Sequence, residues 1–167
     1  MPAGQGAQLM KQVVERELDK AGIQILGTSG VTDDDQLKDM GDSVLGLISA
    51  GYYSTAHVSP ENKIFVESFK KASGGGRPNF FGVGAWDGLH LVYQALNKTR
   101  GEGGAALVEA MKGMSWVSPR GPVTIDPATR DIVQNIYIRK VEKVDGENWN
   151  VEFFTAEAVK DPFKAAK

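Results

Sequence analysis

The segment that most limits what this chain can fold into is the run from Ile132 to Val144, rich in β-branched residues, followed by Asp145-Gly146-Glu147-Asn148 and then by Trp149 to Thr155. Two strand-like runs around an Asp-Gly turn predict an antiparallel hairpin. The chain ahead of it has another rhythm. Leu9, Met10, Val13, Val14 and Leu18 recur at helical spacing between Ala7 and Ala21, with Gly22 as a stop. Ile23 to Leu26 reads as a short buried strand, followed by the turn Gly27-Thr28-Ser29-Gly30. Thr32 is placed to cap a second helix, whose positive end suits Asp33, Asp34 and Asp35, and Gly41 ends it. Val44 to Ala50 reads as another buried strand. Helix and strand alternating over short links predict parallel α/β structure.

Gly51 to His57 is an irregular joint rich in Tyr and small residues. Ser59-Pro60 then opens a third helix with an apolar face of Ile64, Phe65 and Phe69, broken at Gly74-Gly75-Gly76. Phe80-Phe81-Gly82-Val83 leads into a fourth helix carrying Trp86, Leu89, Val92, Tyr93 and Leu96 along one side, with Asp87 placed to stabilise its first turn. A fifth helix runs near Gly104 to Met111, and a short strand is expected at Val123 to Ile125. Glu157 to Lys167 reads as a polar, loosely held tail.

With 167 residues and 18.0 kDa the chain has the mass of one ordinary domain. Apolar residues at 41% and charged residues at 24% exclude wholesale disorder. A net charge of −2 gives no basic excess for nucleic acid. No apolar run reaches the roughly 18–20 residues of a membrane span. The chain has no cysteine, so disulfides, thiolate metal sites and cysteine nucleophiles are excluded.

Motifs for chemistry are thin. Gly4-Gln5-Gly6 ahead of a helix lacks the Lys-Ser/Thr of a phosphate loop, and a plain turn explains it better. Asp33, Asp34, Asp35, Asp39 and Asp42 suggest magnesium, but three consecutive residues cannot all face one ion. His57 and His90 have no Ser or acid at triad-like spacing, so hydrogen-bonded structural roles are expected. Trp86 suits a core or a pocket equally well, and Tyr52 and Tyr53 lie on a joint where aromatics often line clefts. Nothing here demands catalysis.

The order of the segments resembles the C-terminal part of a type I periplasmic solute-binding protein, most closely the branched-chain amino acid (Leu/Ile/Val) branch that serves ABC importers. The resemblance is carried by Pro2-Ala3-Gly4-Gln5-Gly6, by Gly41-Asp42 with Gly46-Leu47-Ile48-Ser49, and by Trp86-Asp87-Gly88-Leu89. Ser118-Pro119-Arg120-Gly121-Pro122 and Ile136-Tyr137-Ile138-Arg139-Lys140-Val141 complete it. It implies an α/β, type I periplasmic binding protein-like fold, present as an incomplete two-lobe fragment with parallel α/β elements and a C-terminal antiparallel hairpin.

In that family two lobes close on a solute and the chain crosses between them three times. Carried over, residues 1–51 are second-lobe α/β, 52–58 a hinge crossing, 59–131 the helical part of the first lobe, 132–156 the second-lobe hairpin and 157–167 the tail. About half of the binding protein would precede this chain, which would account for the missing signal peptide; the intact parent would be periplasmic or otherwise extracytoplasmic. The resemblance implies a solute-binding component, not an enzyme, with no cofactor and no metal. Its partners would be a small solute, either an amino acid of the branched-chain type or an aromatic or aliphatic carboxylate, and in the intact parent an ABC permease, with self-association through exposed sheet edges and no nucleic acid.

The ligand-binding residues carried over are Thr28, Ser29, Tyr53, Phe81 and Trp86. Thr28-Ser29-Gly30 matches a second-lobe loop where amino-acid binders often place an acid for the ligand ammonium; here the first carboxylate is Asp33. An uncharged or aromatic carboxylate solute suits that loop better than an α-amino acid. A ligand-sensing regulatory domain of the same fold and a small metal-dependent α/β enzyme remain the alternatives.

Overall fold

The computed structural model describes residues 5–18 and 20–165. Met1–Gly4, Asp19, Ala166 and Lys167 lie outside the described residues, and with them Pro2-Ala3-Gly4 and the end of the tail. The elements in chain order are α1 (Gly6–Glu15), β1 (Leu26–Thr28), α2 (Asp34–Leu37), β2 (Ile48–Gly51), α3 (Pro60–Ser73), α4 (Phe80–Thr99) and α5 (Gly104–Met111). They continue with β3 (Ser115–Ser118), β4 (Gly121–Ile125), β5 (Ile132–Val144), β6 (Glu147–Val159) and α6 (Pro162–Ala165).

The sheet is organised around β5. Its partner β6 runs antiparallel from Glu147 opposite Val144 to Val159 opposite Gln134, around the turn that the Asp-Gly pair predicts. β2 pairs antiparallel with Tyr137–Lys140, and β4 pairs antiparallel with Ile132–Gln134. β1 adds to β2 in parallel, and β3 adds to β4. One long strand therefore joins the α/β half, β1–β2, to the β3–β4 hairpin. The sheet is mixed: the parallel pairing read from the sequence holds for β1 and β2, and the other pairings are antiparallel.

Several elements differ from expectation for identifiable reasons. α1 stops at Glu15, not near Ala21, because Glu17 turns left-handed (φ 55°) and the Leu18 N–H closes back on the Val13 carbonyl at 3.0 Å. The first strand lies at Leu26–Thr28 rather than Ile23–Leu26; Ile23 precedes it and is exposed, and Leu26 is exposed on a strand that, among the described residues, has a neighbour on one edge only. The run from Val44 is interrupted by a left-handed Gly46 (φ 81°), so a short 3-10 turn at Asp42–Val44 precedes β2. Thr32 does not cap α2. Asp33 holds the cap position, and the Thr32 hydroxyl donates to Ser49 Oγ at 3.3 Å instead. Residues 157–159 extend β6, and Lys160 and Lys164 reach Asp126 and Asp131, so the tail is tied down.

α3 and α4 start as the sequence indicates. Ser59 accepts from the Asn62 N–H with Pro60 in the first turn, and Asn79 accepts from the Gly82 N–H. Phe80–Val83 is already the first turn of α4, which places Asp87 in the helix interior, fully inside the fold.

Two separate apolar cores form among the described residues. One gathers Met10, Val13, Val31, Leu37, Val44, Leu47 and Val141 beneath α1, α2 and the sheet. The other gathers Tyr53, Phe65 and Val83 between the joint, α3 and α4.

Candidate functional site

β1 and β2 are parallel, so their carboxyl ends lie together, the place where open α/β sheets bind ligands. Thr28 and Ser29 close β1 there, and Gly51-Tyr52-Tyr53 leave β2 beside them. The Ser29 hydroxyl donates to the Ala50 carbonyl at 3.3 Å. A Cβ at Gly51 would lie 2.0 Å from Ser29 Oγ and 3.0 Å from Arg139 Nη2, so the two strand ends meet closely only because residue 51 is glycine.

The joint after β2 is fixed from below. Arg139 of β5 is buried, and its guanidinium donates to the Tyr53 carbonyl and to Ser49 Oγ. Asp34, Glu152 and Asp33 balance its charge. Asp34 also accepts from the Thr55 N–H and from Asn150, and burial pushes its carboxyl up to about 6 despite Arg139. Asp33 is pushed up to about 7, first by burial and then by Asp35 and Asp34. Asp34 therefore helps hold the joint through the Thr55 N–H. His57 lies on the same network, with Nδ1 2.8 Å from Glu152 Oε2.

Consecutive residues of an extended segment face opposite ways. Tyr53 points into the core, packs edge-on against Phe65, and donates its hydroxyl to Asn62 Oδ1 at 3.0 Å. It has no surface to offer a solute, which corrects its assignment as a ligand contact. Tyr52 is the half-exposed member of the pair. Its hydroxyl donates to the Phe80 carbonyl at 3.1 Å, its ring meets Phe80 edge-on at 6.1 Å, and burial pushes its phenol up. Phe80 in turn packs on Phe81, centroids 4.2 Å apart, and Phe81 is 66% exposed.

Behind Tyr52 stands a buried ion pair that sequence spacing did not reveal. Asp87 of α4 accepts from Arg120 Nε at 2.7 Å, from the Ser118 hydroxyl at 2.9 Å and from Trp116 Nε1 at 3.2 Å. It does not serve the helix N-terminus. Arg120 Nη1 donates to Gln134 at 2.6 Å, and the guanidinium carbon lies 4.7 Å from the centre of the Tyr52 ring. The sequence signal for it is slight: Asp87 is the single acidic residue of α4, and an Arg-Gly-Pro turn lies far along the chain.

Trp86 sits apart. Five residues beyond Phe81, it lies about 140° further round a helix that turns ~100° per residue. Its ring packs against Phe65 at 5.2 Å and borders a cavity of about 290 Å³ with Leu89, His90 and Tyr93. Thr28, Ser29 and the Tyr52–Phe80–Phe81 aromatics thus belong to the strand-end region, and Trp86 lines another face of α4.

Residues 1–147 match the family described as periplasmic binding protein. The chain belongs to the periplasmic binding protein family. Among relatives of this family, the Leu/Ile/Val-binding protein homolog 6 of Brucella abortus (strain 2308) is 45% identical over 92% of this chain. The match covers 40% of that relative, so this chain spans about two fifths of its length. A solute-binding protein of an ABC transporter from Rhodopseudomonas palustris BisB5, solved in complex with 3,4-dihydroxybenzoic acid, superposes with a TM-score of 0.91 at 59% identity. It covers 98% of this chain, which in turn covers 45% of that chain. The corresponding protein of R. palustris HaA2, solved with p-hydroxybenzoic acid, has a TM-score of 0.91 at 37% identity, covering 99% of this chain and 46% of its own. The fold is therefore that of type I periplasmic binding proteins, represented in part.

Proposed function

We propose that this chain forms one side of the solute cleft of an ABC importer's extracytoplasmic binding protein, and that its solute is an aromatic carboxylate of the hydroxybenzoate kind. The observation that carries the reading is the strand-end surface. It offers the hydroxyls of Thr28 and Ser29 and an aromatic row from Tyr52 to Phe81, and its turn has no carboxylate to pair with an ammonium. The solutes of the two R. palustris relatives support the same class.

In this reading Thr28 and Ser29 hydrogen-bond the solute, Phe81 supplies apolar contact, and Trp86 lines the outer side of the same lobe. Residues 1–51 and 132–156 belong to the second lobe, 59–131 to the first, and 52–58 is a crossing between them. The two separate cores on either side of the joint support that division. Closure of the lobes around the solute would shift the population from open to closed, and the permease would read the closed form. The chain holds and presents a solute and carries out no reaction on it.

The test is a thermal melt of the chain alone and with leucine, isoleucine, benzoate, 4-hydroxybenzoate and 3,4-dihydroxybenzoate. A transition raised by the aromatic acids and not by the amino acids is expected. Stabilisation by leucine or isoleucine alone would sink the aromatic reading.

A further inference from the structure

We infer that Tyr52 is the ring-recognising contact of this site, clamped in place by Arg120. The inference rests on the aromatic-carboxylate reading above and names a residue that reading leaves without a role toward the solute.

Five restraints fix Tyr52. Its backbone leaves β2 through a glycine pressed against Ser29, and Arg139 holds the next carbonyl. Its hydroxyl is tied to the Phe80 carbonyl, its edge meets the Phe80 ring, and the Arg120 guanidinium stacks over it. Arg120 is itself immobilised by Asp87 and Gln134. A side chain held this firmly before binding loses little conformational freedom when a solute arrives, which favours affinity.

The chemistry suits an aromatic partner more than an aliphatic one. A guanidinium against one part of the ring draws electron density toward itself. The rest of the ring then favours contact with an electron-rich, hydroxylated ring in an offset or edge-on arrangement. Asp87 already neutralises Arg120, so the arginine acts as a clamp and not as the carboxylate contact. Tyr52 would confer selectivity for the ring, while Ser29 and Thr28 hydrogen-bond the solute's polar groups.

The experiment titrates the ¹⁵N-labelled chain with 4-hydroxybenzoate, cyclohexanecarboxylate and leucine. It follows the Arg120 Nε–H and Trp116 Nε1–H signals, both of which donate to Asp87. The Trp149 indole, stacked under Arg77, serves as the internal control. Saturable shifts of Arg120 and Trp116 with 4-hydroxybenzoate are expected, together with a preference for it over cyclohexanecarboxylate. That preference should fall about tenfold in Tyr52→Leu and persist in Tyr52→Phe, which keeps the ring. An unchanged preference in Tyr52→Leu, shifts confined to Trp86, or no shift with any solute would each overturn the Tyr52 assignment, because every part of the proposed contact lies within this chain. Saturable shifts with leucine alone would instead defeat the aromatic-carboxylate reading of the function.

Discussion

Asp87 and Arg120 face each other at 2.7 Å, an ion pair with both side chains more than nine-tenths buried. It ties the middle of α4 to the β3–β4 turn, and Tyr137 reinforces the turn by donating its hydroxyl to the Arg120 carbonyl at 2.7 Å. Desolvating two charges makes such a pair a weak source of net stability, but removing one partner strands the other. Asp87→Ala should therefore destabilise the chain by about 3–5 kcal/mol. Urea unfolding of Asp87→Ala, Arg120→Met and the double variant would check this. The double variant should lose much less than the two single losses added together.

Gly51 allows β1 and β2 to end in contact. A methyl group there would lie 2.0 Å from Ser29 Oγ, so Gly51→Ala should push Ser29 away and lower the melting temperature. The expected cost is about 1–3 kcal/mol, the usual range for overpacking. Introducing Ser29→Ala in the Gly51→Ala background should recover part of it. If Ser29→Ala gives no relief, the close approach of these strand ends is not as described.

What the sequence made legible was whatever local chemistry decides. The Asp-Gly hairpin, the Ser59-Pro60 and Asn79 helix starts, and the parallel β1–β2 pair all follow from residues close in the chain. What it hid depends on partners far away. Tyr52 and Tyr53 are indistinguishable in sequence, and only the packing of α3 and α4 decides that Tyr53 is the buried one. Asp87 looked like a helix-end acid because Arg120, 33 positions later, is brought to it by the β3–β4 turn. The strand before Ser29 was displaced as well: the sequence ends it at Leu26 and puts Thr28 in the turn, whereas β1 runs to Thr28 because its backbone pairs with β2, a partner more than twenty positions away.

Asp33 links stability to pH. Its folded pKa, about 7, lies above the ordinary value of 3.8, because burial and the neighbouring Asp35 and Asp34 disfavour the charged form. The native chain thus keeps a proton that the unfolded chain releases, so this contribution is complete below about pH 4 and lost as pH rises through 7. The melting temperature should fall between pH 5 and pH 8, a window in which Asp34, pushed up to about 6 by burial, acts in the same direction, while the lowered pKa of Asp126 matters only below about pH 4. Asp33→Asn, which mimics the protonated form, should melt higher than the unaltered chain at pH 8 and flatten the slope. An unchanged slope in Asp33→Asn would assign the pH dependence to other groups.

The open edge of β1 supplies the last prediction. Among the described residues β1 has a neighbour only in β2, and Leu26 on it is 71% exposed. Unpaired edge N–H and C=O groups beside an exposed apolar side chain favour pairing with another strand. In the relatives that this chain matches, more than half of the length lies outside the matched region, so such an edge has further chain available to it there. For this chain by itself, association that grows with concentration is expected in sedimentation velocity. Leu26→Lys places a charge on that edge and should shift the distribution toward monomer without altering the melt of the monomer. If Leu26→Lys leaves the association unchanged while Trp86→Lys on α4 abolishes it, the contact runs through the helix face and not through the strand edge.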